Sequence, residues 1–190
     1  MKDTGKNIKG RNKRYPMEIR EARPEDFEEL KEFYTRMNEV IHQRGKVGKP
    51  ENPVYPTDEM IKEAIAQRGQ FIGIEDGRIV IACMVRNCFE EAYSKVHWRV
   101  DAAENENWIL HALRVDPEYE GRGFAKQMIG HIIELAPQRG QKAIRLDVKE
   151  DYPVTGLYTR FGFEYVETVE AFYPDIGCVQ RFMMFEKRIV

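Results

Sequence analysis

The hydrophobic positions change their spacing along the chain, and each change predicts a different element. Over residues 27–41 apolar side chains recur every three or four positions, which is typical of an amphipathic helix, and Pro24 marks its start. Residues 57–66 predict a second helix with a threonine cap. Residues 70–75 and 78–87 have strand patterns on either side of an Asp-Gly turn, so we expect a β-hairpin there.

The second half of the chain contains a strand, a helix and a strand in succession. Residues 108–115 and 143–148 have strand patterns, and an apolar stripe between them, from 125 to 133, predicts a helix. We expect this unit to be a right-handed crossover between parallel strands. Three further elements complete the chain: a short helix over 153–161 and strands over 164–169 and 179–187.

These elements predict one domain over residues 17–190, beginning with a short strand at 17–20. The fold class is α/β (α+β), with a central mixed sheet of about seven strands flanked by about four helices. Residues 1–16 carry many basic side chains without apolar periodicity and predict a disordered arm, which is either a solvated tail or a binding arm for polyanions. Residues 42–56 are rich in Gly and Pro and form either a functional loop or a plain connector.

Composition narrows the class of protein. The 30 Lys and Arg side chains against 32 Asp and Glu give a net charge of −2, which lacks the positive field of a nucleic-acid-binding protein. The longest apolar run, residues 79–85, is too short for a membrane span, and mean hydropathy is −0.60. We therefore expect no nucleic-acid partner, no membrane association and a cytoplasmic location.

The cysteines and histidines indicate neither disulfides nor a metal. Cys83, Cys88 and Cys178 are odd in number and form no Cys-x-x-Cys pair, and the four histidines lack the spacing of metal ligands. We expect Cys83, inside the apolar run, to pack as a small hydrophobic residue. No metal cofactor is expected.

A glycine-containing turn precedes the helix of the crossover. Gly121 and Gly123 would let backbone N–H groups approach an anion, and Arg122 and Lys126 add positive charge suited to a diphosphate. A plain turn is the alternative. The pattern lacks the Gly-Lys-Ser/Thr ending of a P-loop and the third glycine of a dinucleotide fingerprint, so another phosphate-bearing cofactor is expected.

Three motifs in this order resemble those of the GCN5-related N-acetyltransferase (GNAT) superfamily. They are Leu-Arg-Val-Asp-Pro at 113–117, Glu-Gly-Arg-Gly-Phe-Ala at 120–125 and Leu-Tyr-Thr-Arg-Phe-Gly-Phe at 157–163. The resemblance covers nearly all of the chain except the basic arm and implies a GNAT-like fold. It also implies that acetyl-CoA lies between the strands at 108–115 and 143–148.

The resemblance implies the residues that hold acetyl-CoA. Backbone groups of Leu113 and Val115 would pair with the pantetheine arm, and the amides of residues 121–126 would bind the pyrophosphate. The cofactor-binding candidates are Leu113, Val115, Gly121, Arg122, Gly123, Phe124, Ala125, Lys126 and Asp151. Two positions depart from the family pattern: Glu120 stands where Gln or Arg is usual, and Asp151 where many members have an Asn. Glu120 would repel a diphosphate unless it points away or pairs with Arg122.

The resemblance also implies a general acid, Tyr158, which would give a proton to the departing coenzyme thiolate. A phenol with a pKa near 10 stays protonated at neutral pH and suits that role. A half-buried core tyrosine is the alternative. His111 and Glu106 are the candidate bases for an incoming ammonium, but His111 could equally be a satisfied strand residue, and Glu106 a solvated loop charge.

We therefore expect an N-acetyltransferase in which a primary amine attacks acetyl-CoA directly. The alternative is a non-catalytic CoA-binding sensor or interaction module of the same fold. The acceptor would be a small-molecule or peptide amine. Five acidic side chains with Tyr93, His97 and Trp98 crowd residues 88–107 and favour a cationic acceptor, unless they form a solvated loop. The pattern leaves the oligomeric state open, a homodimer included.

Overall fold

The computed structural model describes residues 17–45, 54–88 and 90–189. The predicted basic arm at 1–16 lies outside the described residues, as does most of the Gly- and Pro-rich loop, residues 46–53.

The described strands form one mixed sheet of seven strands, as the sequence predicts. The strands are β1 (Glu18–Glu21), β2 (Gln70–Glu75), β3 (Arg78–Arg86), β4 (Asn107–Val115), β5 (Ala143–Lys149), β6 (Glu164–Tyr173) and β7 (Cys178–Arg188). Their order across the sheet is β1-β2-β3-β4-β5-β7-β6. Every neighbouring pair is antiparallel except β4 with β5, which is parallel. The predicted crossover between parallel strands is therefore confirmed.

Among the described residues five α-helices accompany the sheet, one more than expected. They are α1 (Phe27–Gln43), α2 (Asp58–Ala66), α3 (Glu91–Ser94), α4 (Phe124–Leu135) and α5 (Thr155–Thr159). The additional helix, α3, is a single turn in a segment that the sequence predicted to be irregular, and it is too short to show a helical period. The predicted cap of α2 is present: the Thr57 side chain accepts a hydrogen bond from the Met60 amide.

Both faces of the sheet are covered. On one face α4 packs on side chains such as Leu146 and Val148. On the other face α1 and α2 form a core that includes Met84, and α3 forms a separate core with Ile109 and neighbouring residues. The two helix groups on this second face leave a space between them at the centre of the sheet.

Within residues 17–45, 54–88 and 90–189, no helix is both long enough and apolar enough to cross a membrane.

Candidate active site

The parallel strands β4 and β5 pair only at their first residues. Asn107–Ile109 pairs with Ala143–Arg145, and beyond that point β4 follows β3 while β5 follows β7. A bulge in β4 accompanies the separation, because the β3–β4 register shifts near Ala112, whose φ of +47° lies in the left-handed region. The two strands therefore open into a gap at the centre of the sheet.

A cleft of about 1000 Å³ occupies this gap. Its walls are the second half of β4, the end of β5, the end of α1, the helix α5 and the β6–β7 hairpin. Because the gap passes between two strands, groups from both faces of the sheet reach the same cavity.

Alternate backbone N–H and C=O groups in the second half of β4 point into the gap. The Asp116 amide donates to the Val80 carbonyl at 2.9 Å, so the backbone groups of Arg114, two residues earlier, also point toward β3. By alternation, the backbone groups of Leu113 and Val115 point toward the gap, where β5 has moved away. This orientation fits an extended ligand arm lying along β4.

The glycine turn, residues 120–125, leads into α4 at the same end of the gap. Gly121 and Gly123 have φ values of +77° and +83°, a conformation that other residues adopt only with strain. A Cβ atom at either position would meet no described atom within 4 Å, so the space beside the turn is open. Because Gly123 is the N-cap of α4, the unpaired amides of the first helical turn lie at this opening and suit a phosphate.

The charged side chains of the turn have different surroundings. Arg122 donates to Glu75 at 2.9 Å and lies over the Tyr119 ring at 4.7 Å, so part of its charge is already compensated. Lys126 is exposed in the first turn of α4 and forms no ion pair with a described residue. Glu120 accepts a hydrogen bond from Arg44 at 2.7 Å, not from Arg122.

The other two residues of the turn contribute differently. Phe124 is buried in the core beneath α4, so only its backbone could contact a ligand, while Ala125 lines the cleft.

Tyr158 lies on α5 and lines the cleft from the α4 side of the sheet. Its ring packs edge-on against Phe163 with centroids 5.8 Å apart. Burial raises the pKa of the phenol well above its usual value, so the hydroxyl is protonated at neutral pH. The side chain is thus both packed and placed at the cavity.

Two of the sequence-predicted site residues lie away from the cleft. Glu106 precedes the closed end of β4, and its carboxylate accepts hydrogen bonds from Lys142 at 2.7 Å and from the Ala103 amide at 3.1 Å. The bond to Lys142 lowers its pKa. Asp151 is exposed in the turn after β5 and does not line the cavity. The strand direction explains the first case, since a residue before β4 is at the opposite end from the gap.

His111 lines the cleft and is buried, with 8% of its surface exposed. Burial, with a smaller contribution from the nearby Arg86, lowers its pKa to about 3, so the imidazole is neutral. Its Nε2 atom lies 3.3 Å from Oε1 of Glu90 but forms no hydrogen bond with a described residue. Burial, with a smaller contribution from Asp147, raises the pKa of Glu90 to about 7.

Cys88 completes a small cluster with this pair. Its thiol donates to Oε1 of Glu90 at 3.7 Å, and burial raises the thiol pKa to about 12. One ligand-type atom from each of Cys88, Glu90 and His111 lies within 4.8 Å of the others, a spacing that could hold a metal ion. Because the thiol is protonated and donates to the carboxylate, we interpret the cluster as hydrogen-bonding side chains. The absence of a metal cofactor stays a prediction.

Asp147 on β5 is a second acid that lines the cleft, and it is partly buried. Tyr93 donates to its Oδ1 atom at 2.6 Å, and burial raises the pKa of the carboxyl. Tyr93 in turn stacks on Trp98 with centroids 5.7 Å apart.

Sequence reasoning treated Glu90 and Tyr93 only as members of a crowded segment, and it did not single out Asp147. The sequence pattern gave no signal for Asp147, because it alternates with apolar residues on the same face of β5 as Arg145 and Lys149, where an exposed acid is ordinary.

Comparisons with known proteins agree with this geometry. The model of the acetyltransferase (GNAT) family matches residues 25–163. The ribosomal protein bS18-alanine N-acetyltransferase of Haemophilus influenzae is 31% identical over 65 residues, which cover 34% of this chain and 44% of that protein. The matches span between 18% and 44% of the length of the curated relatives.

Solved structures share the fold over most of the chain. A GNAT-family acetyltransferase from Streptococcus agalactiae 2603 has a TM-score of 0.70 at 20% identity and covers 90% of this chain and 95% of its own. The yncA protein of Salmonella typhimurium, solved with its cofactor acetyl-CoA, has a TM-score of 0.66 at 14% identity and covers 93% and 95%.

Proposed function

The chain belongs to the acetyltransferase (GNAT) family, and from that premise we propose that it transfers the acetyl group of acetyl-CoA directly to a primary amine. The observation that carries the proposal is the gap between β4 and β5. The glycine turn and Tyr158 lie on one side of it, and Glu90 and His111 lie on the other. An anion-binding turn and groups able to move protons thus meet in one cavity.

The cofactor would be held mainly by backbone groups. Leu113 and Val115 would bond the extended arm, and the amides at the start of α4 would bind the pyrophosphate, with Lys126 adding charge. The open space beside Gly121 and Gly123 fits a bulky phosphate group. Acetyl-CoA, when bound, supplies an acetyl group activated as a thioester.

Glu90 would accept the proton of the incoming ammonium. Its pKa of about 7 suits a base at neutral pH, whereas the lowered pKa of His111 makes the imidazole a weak base. His111 would instead accept a hydrogen bond from the amine and orient it. We therefore replace the sequence-based pair of His111 and Glu106 by Glu90 as base and His111 as orienting residue.

Tyr158 would donate a proton to the sulfur as the carbon–sulfur bond breaks. Its raised pKa keeps the proton on the phenol until a basic thiolate forms beside it. The ammonium loses two protons on becoming an amide: Glu90 takes the first and releases it to solvent, and the second passes from nitrogen to solvent as the tetrahedral intermediate collapses. Tyr158 protonates the sulfur and is reprotonated by solvent, so one proton is released per turnover and the enzyme returns to its starting state.

A thiol-release assay with acetyl-CoA tests this function. The acceptor panel would contain aliphatic monoamines, diamines, amino acids and a peptide with an N-terminal alanine, the residue named in the Haemophilus influenzae relative. We expect turnover with at least one amine. Acetyl-CoA binding without turnover on any amine would instead favour a non-catalytic CoA-binding module.

The pH profile tests the base. We expect kcat/KM to rise with pH through about 7 as Glu90 loses its proton, and we expect Glu90→Gln to lack this limb. The groups that face Glu90 are Cys88, His111, Arg86 and Asp147. The amine titrates at a higher pH, which separates the two limbs. An unchanged limb in Glu90→Gln would contradict the assignment.

A further inference from the structure

The second acid of the cleft has no basic partner in the described chain. Asp147 is partly buried, accepts a hydrogen bond from the neutral Tyr93 hydroxyl and forms no ion pair with any described Lys or Arg. Glu90, which is also partly buried, likewise forms no ion pair with a described Lys or Arg. The nearby Arg86 pairs with Glu63. Two partly buried carboxyl groups that face a cleft without a cation favour a cationic ligand there.

Register places this acid beside the expected position of the reacting amine. Ile109 pairs with Arg145, and continuing that register sets His111 opposite Asp147 on the same face of the sheet, across the gap. Burial of Glu90 and Asp147 in one cavity makes each carboxylate sense the charge of the other. Their two binding positions are therefore within the reach of one small molecule.

The unpartnered nitrogen of His111 is an independent sign of a ligand. The side chain is buried to more than nine-tenths, lines the cleft, and directs Nε2 at a carboxylate oxygen 3.3 Å away without a hydrogen bond in the described chain. A buried ring nitrogen without a hydrogen bond requires a partner, and a ligand in the cleft can supply it. In the tautomer whose Nε2 carries no proton, an ammonium group can donate to this nitrogen and to the Glu90 carboxylate.

The charge balance then determines the kind of acceptor. Once Glu90 has taken a proton from the reacting ammonium, no described Lys or Arg pairs with Asp147, which lies across the gap from His111. Burial raises the pKa of this carboxyl, so its charged form is stabilised only when a cation lies beside it. A second ammonium on the same molecule supplies that cation. The rings of Tyr55 and Tyr173, which line the cleft, suit the methylene chain and the cation.

We propose that Asp147, supported by Tyr93, binds a second ammonium group of the acceptor, and that the acceptor is a small aliphatic diamine. The proposal rests on the function above, because it assumes that the first amine is the one acetylated. Asp147 acts as a specificity-determining residue: it recognises the end of the acceptor that does not react.

Direct binding and turnover together test the proposal. Calorimetry on the full chain would compare 1,4-diaminobutane with n-pentylamine, which has a methyl group in place of the second ammonium. Diamines of three to six carbons, each with its matched monoamine, would then vary the distance between the two nitrogens. We expect the preferred diamine to bind at least about tenfold more tightly than its matched monoamine, since a hydrogen bond to a charged group is worth that much. The thiol-release assay should show the same preference in KM.

Asp147→Asn should abolish this preference, because the amide can still accept from Tyr93 but carries no charge. Asp101→Asn is the matched control, since Asp101 is an exposed acid that does not line the cleft, and it should keep the preference. The comparison of ligands on the unaltered protein keeps the test valid if Asp147→Asn does not fold.

The failures of the two proposals differ. Equal binding and equal turnover of diamine and monoamine would overturn the second-ammonium subsite and leave the acetyltransferase function standing. Diamine binding without thiol release would support the subsite and contradict the function. Binding of none of the diamines, or a response only to a lysine-containing peptide, would overturn the diamine proposal.

Discussion

The two faces of the sheet present different kinds of group to the gap between β4 and β5. On the α4 face the candidate cofactor contacts are backbone groups, held by the bulge in β4 and by two left-handed glycines. On the α3 face the candidate contacts are buried side chains that titrate, Glu90, His111 and Asp147. The first face depends on backbone shape and the second on charge. Substitutions should therefore affect cofactor affinity and acceptor chemistry separately.

Tyr158→Phe should have the largest effect on rate. The change keeps the ring against Phe163 and removes only the proton donor, and loss of a general acid typically lowers kcat by about 10²- to 10⁴-fold. Acetyl-CoA affinity, measured by calorimetry, should barely change. Tyr165→Phe is the control, because Tyr165 is exposed and lies outside the cleft, and it should keep kcat.

A purely structural role for Tyr158 would give a different result. The Phe variant would then show a lower melting temperature and near-normal turnover per folded molecule. Normal kcat in a stable variant that binds the cofactor would contradict the assignment and leave water as the proton source.

Gly123→Ala should have the next largest effect, on cofactor binding. A Cβ at φ +83° costs about 1–2 kcal/mol, so the turn should relax and its amides should leave the phosphate position, with acetyl-CoA affinity falling about tenfold or more. Gly140→Ala is the matched control: φ is +70°, the space around it is equally open, and it follows α4, at the opposite end of that helix from the glycine turn. Both variants should lose similar stability.

Only the position-123 variant should lose cofactor affinity in calorimetry. Equal acetyl-CoA affinity in the two variants would remove the phosphate-binding role of the turn.

The sequence predicts the fold and the position of the glycine turn before α4 well because these signals are local, while the turn's role in cofactor binding stays a prediction. Hydrophobic period and turn residues identified all seven strands and four of the helices, and the glycine turn is one continuous segment. The ion-pair partners of the charged side chains in this turn were less predictable. Arg122 and Glu120 take partners from β2 and α1, and those partners are distant in sequence.

The α3 side of the cleft could not be predicted in the same way. Glu90, His111 and Asp147 come from a loop and two strands, and only the separation of β4 from β5 brings them to one cavity. Glu106 looked equally suitable by residue type, but it precedes the closed end of β4 and bonds to Lys142. Residue type indicates the chemistry, while strand direction decides which acid reaches the site.

The smallest expected effect concerns stability, and it distinguishes a buried acid from an exposed one. The folded-state pKa of Glu90 is about 7 against an ordinary 4.5, so the folded protein holds the proton more tightly than the unfolded chain does. The difference in pKa adds to the free energy of unfolding: this contribution is complete below about pH 4.5 and is lost as pH rises through about 7. The loss is at most about 3 kcal/mol. The melting temperature of Glu90→Gln minus that of the unaltered protein should therefore be several degrees larger at pH 8 than at pH 4.

Glu91→Gln is the control of opposite sign. Glu91 is exposed, and its hydrogen bond to Lys95 lowers its pKa, so its small contribution is present above about pH 4.5 and lost in acid. The melting temperature of Glu91→Gln should not exceed that of the unaltered protein at pH 8. Scanning calorimetry at the two pH values measures both differences, and pH effects from all other groups cancel between variant and parent. If the difference in melting temperature between Glu90→Gln and the unaltered protein is the same at both pH values, the pKa of Glu90 is not raised in the folded state. That result would contradict the assignment of Glu90 as the base.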